Sequence, residues 1–416
     1  MTEPVDADAA SALARLVRSE GRAVVATLTR QLGDLGRAED AVQEAALQAL
    51  EAWAHQGVPP NPRAWLLRTA RHRAIDRIRR EQARPDKESE AVRTLEREPD
   101  QPSDSVVHDD LLRLVFTCCH PALAPDVQVA LSLRTLCGLT TVEVARAMLV
   151  GEAAMAKRLT RARQKIAVAA IPYRVPPDHE LPDRLATVAT TVYLVFNEGY
   201  AATAGDDHLR TSLCEEAIRL ARLLLDLLPG EPPLQGLLAL MLLQHARSAV
   251  RIDAAGDVVL LADQDRSRWD PAAIQEGVVL VGEGLRRTPG RPDPFVVQAA
   301  IAACHDLAPT YADTDWAAVV SWYDVLLTVQ DTPVVRLNRA AAIAERDDPE
   351  VALALLDELT GLERYPFWHA SRAELLARLA RAAEAADAAR TALALDVSTP
   401  LARRLQRLAG AGPDRA

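Results

Sequence analysis

Apolar residues recur at three- and four-residue intervals along most of the chain, and this spacing predicts helices throughout. Between Gly36 and Trp53, the residues Val42, Ala46, Ala49 and Trp53 form one buried stripe, leaving Asp40, Gln43, Glu44, Leu47 and Glu51 on another face. The next helix starts at Pro62, a favoured first-turn residue, and turns Leu66, Leu67, Ala70, Ala74 and Ile78 inward. A shorter pair, Thr141 to Met148 and Glu152 to Ile166, flanks a turn at Leu149, Val150 and Gly151. Its seam is Val144, Ala145, Met155, Leu159 and Ile166, with Ala145 at a crossing where only a small side chain fits.

Past residue 181 long helical patterns alternate with short Pro or Gly turns. Asn338, Ala340, Ile343 and Ala352 are matched 33 residues later by Ser371, Ala373, Leu376 and Ala385, with Leu359 and Ala392 also in step. Small residues at helix crossings with a period near 34 resemble tetratricopeptide repeats, which stack into an α-solenoid. Composition agrees with helices: aromatic residues make up only 4% of the chain, whereas Ala, Leu and Arg recur everywhere. The expected fold is all-α. The 416 residues divide into helical domains at 1–84, 109–170 and 183–416, joined by an acidic flexible linker at 85–108 and a Pro-rich linker at 171–182.

Net charge is −10, which argues against wholesale coating of nucleic acid, but the charges are segregated. From residue 61 to 84 eight arginines face only Asp76 and Glu81, a local balance of +6. Lys157, Arg158, Arg161, Arg163 and Lys165 form a second basic run without any acid. Between them, residues 85–110 hold nine acids against three bases. On the helix from Pro62, Arg68, Arg71, His72 and Arg79 are expected on the outside with Arg73, Arg77 and Arg80 flanking. Guanidinium groups interleaved with Trp65 and His72 suit a phosphate backbone and unstacked bases. The second helix of the Thr141–Ile166 pair can enter a major groove with its N-terminal residues while its later bases hold phosphates.

Other candidate chemistry is weaker. Adjacent Cys118 and Cys119 beside His120 lack a second pair of ligands, so packing is expected rather than zinc. Asp263, Asp265 and Asp270 suggest a calcium loop, but Arg268 stands where such a loop needs Gly, and an internal salt-bridge knot is expected instead. Asn197-Glu198-Gly199 reads as a helix end. No enzyme activity, cofactor or metal is expected. The acidic N-terminus and the absence of a long uncharged apolar run lead to the expectation of a cytoplasmic protein without a membrane segment.

The order of the pieces resembles regions two and four of the extracytoplasmic-function (ECF) sigma factors, promoter-specificity subunits of bacterial RNA polymerase. Ala38-Glu39-Asp40-Ala41-Val42-Gln43-Glu44 is similar to that family's polymerase-binding signature, and Ala64-Trp65-Leu66 through Asp76-Arg77-Ile78-Arg79-Arg80 to its −10 segment. Gly138-Leu139-Thr140 through Arg158-Leu159-Thr160-Arg161-Ala162-Arg163 resembles its −35 reader. The resemblance implies RNA polymerase core and promoter DNA as partners. It assigns Asp40, Gln43 and Glu44 to polymerase; Trp65, Arg68, Arg71, His72, Arg77, Arg79 and Arg80 to the −10 element; and Ala153, Ala154, Lys157, Arg158, Arg161 and Arg163 to the −35 element.

The long C-terminal part resembles the extension of one subgroup, in which Phe116-Thr117-Cys118-Cys119-His120-Pro121, Phe196-Asn197-Glu198-Gly199-Tyr200, Asp263-Gln264-Asp265-Arg266-Ser267-Arg268-Trp269 and Leu337-Asn338-Arg339-Ala340 recur. It implies a regulatory domain that contacts another protein or the sigma domains themselves. His72 in place of Asn, Leu149 in place of a turn Gly, and Ala154 and Ala156 in place of polar residues depart from the family pattern. A repeat-containing helix-turn-helix regulator that is not a sigma subunit is the alternative, and the Asp40-Gln43-Glu44 face argues against it.

Overall fold

The computed structural model describes residues 4–81, 104–148, 150–169, 171–200, 211–253, 257, 259–395, 397 and 399–410. Among them the chain is all-helical, with no β-strand, and it divides into two compact units, 1–192 and 193–416. No helix of the described residues is long and apolar enough to cross a membrane.

In the first unit, α1 (Pro4–Leu32), α2 (Leu35–Gln56) and α3 (Pro62–Glu81) pack against one another. Gly33, at φ 65°, makes the sharp reversal between α1 and α2 that an L side chain resists. Asp34 then caps α2 by accepting from the Arg37 amide at 3.0 Å, and Asn61 does the same for α3 through the Ala64 amide. The stripe read from the sequence is the seam: Val42, Ala49 and Trp53 are buried, and Trp53 packs on Leu13, Ala49 and the edge of Trp65. Leu66, Leu67, Ala70, Ala74 and Ile78 are buried as expected from the helix period.

α4 (Asp104–Cys118) lies on α1, and α5 (Pro125–Leu131) runs into a π-turn at Ser132–Leu136. The expected acidic linker lies outside the described residues as far as 103. From Asp104 onward it is helical, because Leu111, Leu114, Val115 and Cys118 give these residues a buried face at 3.6-residue spacing. Asp110, the last of the nine acids, is fully buried with Arg30 and Arg113 on its carboxylate. The Pro-rich stretch is likewise packed: Ile171 and Pro176 are buried, and the Tyr173 hydroxyl lies 2.7 Å from the Ala26 carbonyl and 3.0 Å from that of Asp110. α8 (Leu181–Tyr200) begins in this unit, where Leu185, Val188, Ala189 and Val192 are buried and Thr191 donates to Gln128 at 2.9 Å.

α6 (Thr141–Ala147) and α7 (Glu152–Val168) form the helix-turn-helix. A reciprocal cap fixes the start of α6: Thr140 Oγ1 accepts from the Glu143 amide and the Glu143 carboxylate from the Thr140 amide. Ala145, Met155, Leu159 and Ile166 are buried at the seam.

The second unit contains α9 (Thr211–Leu227), α10 (Pro232–His245), α11 (Pro271–Arg287), α12 (Pro294–Asp306), α13 (Trp316–Val329), α14 (Pro333–Arg346), α15 (Pro349–Asp357), α16 (Pro366–Arg378), α17 (Ala382–Leu393) and α18 (Thr399–Gly410). α10 is buried on every side from Leu234 to Leu243, as its unbroken apolar sequence requires. α11 and α12 pack on it and, from α12 to α18, each helix packs on its successor. The 33-residue echo falls on two hairpins, α14–α15 and α16–α17, each opening with Pro in the first turn. Ala340, Ile343 and Ala352 in one, and Ala373, Leu376 and Ala385 in the other, are buried at equivalent places.

Gly236 sets the distance between α10 and α12, since a Cβ there would stand 2.4 Å from the Val296 amide nitrogen. Gly236→Ala should therefore destabilise the second unit by about 1–3 kcal/mol through overpacking, although the same change on an exposed helix surface stabilises. Thermal unfolding checks this as a lower midpoint for the transition of residues 193–416 and an unchanged one for 1–192.

Candidate nucleic-acid interface

α3 presents Arg68, His72 and Arg79 on one exposed face. The other residues expected there are placed differently. Trp65 is half-buried, its ring 5.5 Å from that of Trp53 at 66°. Arg77 reaches back to α2, 3.0 Å from Asp40 and 3.6 Å from Glu44. Arg71, expected outside, is only 4% exposed and donates from Nε to Gln31 Oε1 at 3.3 Å. Its position explains the correction: Arg71 follows Leu67 by four residues and precedes Ala74 by three, so the helix turns it inward with them. The Arg80 side chain lies outside the described residues.

On α2, Gln43 is exposed and Asp40 and Glu44 are half-exposed, forming one acidic strip bordered by Leu47, which is 65% exposed. Arg77 lies across this strip, so the acidic face of α2 and the basic face of α3 adjoin. Arg73 adds a second tie between the two helices by donating to Gln48 Oε1 from Nε and Nη2.

On α7, Gly151, Glu152, Ala153 and Ala154 are exposed and no side chain caps the first-turn amides. Lys157 and Arg161 face solvent with no carboxylate partner among the described residues. The remaining bases are engaged: Arg158 lies 3.1 Å from Asp126, and Lys165 donates to the Ala122 carbonyl. Arg163, expected outward, instead turns to Glu39 of α2, donating from Nε at 2.6 Å. Leu149 of the turn lies outside the described residues. The free amides, the exposed alanines and the lysine and arginine one and two turns later together make a surface that a phosphate backbone fits.

The other motifs serve packing. Cys118 and Cys119 are buried; burial pushes the Cys119 thiol up to about 11 and the Cys118 thiol well above its ordinary value. His120 Nδ1 accepts from the Ala122 amide in the turn beyond Cys119. In the second unit Asp265 accepts from the Ser267 amide, and Asp270 caps α11 through the Ala272 and Ala273 amides. The expected salt-bridge knot is absent among the described residues. Arg266 donates instead to the His305 and Ala308 carbonyls at the end of α12, and Arg268 to that of Ala249. Arg266 also stacks on Trp269 of the same motif at 4.6 Å, so its flat face packs within the motif while its donors reach the end of α12.

Residues 16–84 match Sigma-70 region 2, and residues 113–166 match Sigma-70 region 4. Residues 184–284 match a family of unknown function, DUF6596. The uncharacterized protein R00370 of Rhizobium meliloti (strain 1021) is 44% identical over 365 residues, covering 85% of this chain and 84% of that protein. The ECF RNA polymerase sigma factor SigK of Mycobacterium sp. (strain KMS) is 33% identical over 156 residues, covering 37% of this chain and 79% of that protein. SigK of Mycobacterium ulcerans (strain Agy99) is 32% identical over 125 residues, 30% of this chain and 66% of that protein. Two sigma-type modules in the family order, with this likeness, place the chain in the sigma-70 family among the ECF sigma factors. It is a long member, carrying a helical C-terminal extension that includes the DUF6596 segment.

Within that extension two neighbours at the end of α12 titrate in opposite senses. Burial raises the Asp306 carboxyl to about 6 against the pull of Arg247 and Arg266. Burial, with the same two arginines, lowers His305 to about 4. Between these values the folded chain keeps a proton on Asp306 that the unfolded chain loses, so acid stabilises through that group. The unfolded chain takes up a proton on His305 that the folded chain refuses, so acid destabilises through that one. Asp306→Asn should remove the compensation, leaving stability that rises with pH from about 4 to 6.5. Unfolding midpoints of the second unit across this range test it, and a variant profile parallel to the parent's would refute it.

Proposed function

We propose that the chain is a sigma subunit that binds RNA polymerase core through Asp40, Gln43 and Glu44 of α2 and directs it to promoters. In this reading Arg68, His72 and Arg79 of α3, with Trp65, Arg77 and Arg80 beside them, engage the −10 element as it melts. Ala153 and Ala154 at the start of α7 lie against base edges of the −35 element, and Lys157, Arg158 and Arg161 hold its phosphates. The observation that carries this is the adjacency of the acidic strip of α2 to the basic face of α3, in a chain whose second basic face lies on a helix-turn-helix. A regulator that reads duplex DNA alone has no use for that strip. The C-terminal helices, with small residues at repeated crossings, serve as a regulatory protein-interaction surface.

Promoter-specific run-off transcription with purified core polymerase tests the sigma role directly. The division of labour is tested by substitution. Lys157→Ala and Arg161→Ala should each lower the salt slope of duplex binding by about 0.9, the value for one lost phosphate contact. Arg68→Ala and Arg79→Ala should leave duplex binding near the parent's and slow open-complex formation. Equal duplex-binding defects in all four, with melting unaffected, would overturn the assignment.

A further inference from the structure

A cavity of about 600 Å³ lies between α11, the loop 288–293 and α13 in the second unit. Leu285, Pro289, Pro292 and Val325 give it an apolar lining, together with the half-buried ring of Trp322. Its polar side chains are Thr288, Thr328 and Asp324, and all three offer lone pairs. The Thr288 hydroxyl donates its proton to the Gly284 carbonyl at 2.9 Å, and that of Thr328 to the Val325 carbonyl at 2.7 Å. Both oxygens are thereby left as acceptors. Asp324 accepts from Arg339 Nε through Oδ1 at 2.7 Å, and its Oδ2 has no hydrogen-bond partner among the described residues. Pro289 and Pro292 withhold two backbone donors as well, since proline has no N–H. The equivalent corner one repeat later is built differently. Arg372 and Asp357 reproduce the Arg339–Asp324 pair at 2.6 Å. Leu355 and Glu358, however, stand in the places of Trp322 and Val325, and the connecting loop shortens from 288–293 to 330–332.

We propose that this cavity binds a small organic amine, with the ammonium group on Asp324 Oδ2 and the apolar body against Trp322, Leu285 and Val325. The volume suits a small organic molecule, and the lining selects its charge. An anion would meet a carboxylate and hydroxyl lone pairs. A metal ion would find one carboxylate and two hydroxyls beside an apolar wall, too few oxygens for a hard cation. A neutral molecule would forgo the charge-assisted bond to Asp324. An ammonium brings three donors and a positive charge, which complement the three acceptors and are attracted to the face of Trp322. Arg339 belongs to the run Leu337-Asn338-Arg339-Ala340, which takes no part in the nucleic-acid interface. Here it acquires a task, orienting the Asp324 carboxylate from α14. The site thus draws on α11, α13 and α14, so its occupant stiffens three successive hairpins, α10–α11, α12–α13 and α14–α15, against one another. This gives the extension a chemical input of its own, whatever α2, α3 and α7 bind.

Fluorescence titration of the full chain with monodansylcadaverine tests this, because that probe joins a naphthalene ring to a primary amine and brightens when the ring leaves water. Its analogue N-pentyl dansylamide has the same ring and chain without the amine. The amine should bind saturably, and at least about tenfold more tightly than the analogue, as one charge-assisted hydrogen bond requires. Asp324→Asn should weaken amine binding by about that factor and leave the analogue's affinity unchanged. Asp357→Asn breaks the equivalent pair one repeat on and should change neither affinity, which separates loss of the site from loosening of the helical stack. Thr328→Trp, at an exposed position of the lining, should exclude both probes. Equal affinity for the two probes, equal losses in Asp324→Asn and Asp357→Asn, or binding undisturbed by Thr328→Trp would overturn the inference.

Discussion

With few bulky side chains available, this chain buries surface by bringing helix backbones close together. Ala26, Ala38, Ala45, Ala49 and Ala70 are fully buried in the first unit. In the second, a side chain on Gly236, Gly277 or Gly284 would strike Val296 or Leu243. Close approach maximises dispersion contact per residue, but it leaves little room for water around a polar group caught between helices. Such a group needs its partner on the facing helix. Glu39 with Arg163, Asp110 with Arg30 and Arg71 with Gln31 each meet that condition across a helix pair.

The helix period made much of this legible in advance. Trp53, Leu67, Ala145 and Met155 lie where the spacing of apolar residues puts them, and the 33-residue echo marks two real hairpins. Charge was harder to read. Arg71 stands among exposed arginines, yet the period that turns Leu67 and Ala74 inward turns it inward as well. Glu39 was invisible for another reason: the groups that hold it are 96 and 124 residues away in sequence. No local pattern announces a long-range pair, and an acid among acids looks solvated until the facing helix is known. The alternating acids and arginines of residues 263–270 misled similarly, because neighbours in sequence found helix ends rather than one another.

Arginines serve in more than one way in both units. In the first, Arg30, Arg71 and Arg163 reach a carboxylate or amide oxygen of another helix, while Arg134 and Arg184 donate to the Leu139 and Phe116 carbonyls. In the second, Arg266 and Arg268 bind carbonyls, and Arg251 stacks on Tyr200 at 3.6 Å while donating to its carbonyl. Guanidinium groups there close helix ends that glycine or a side-chain donor closes elsewhere. An arginine count therefore carries little functional information in this chain without its partners.

The buried cysteines set how the chain meets an oxidant. A thiol raised to about 11, as in Cys119, is thiolate in roughly one molecule in ten thousand at neutral pH, and the thiolate is the reactive form. Cys214 is pushed further, to about 12, and Cys118 is raised as well, each by burial. Peroxide and disulfide reagents meet these sulfurs as inert apolar atoms, so the packing around α4 and α9 persists through redox conditions that would modify an exposed cysteine.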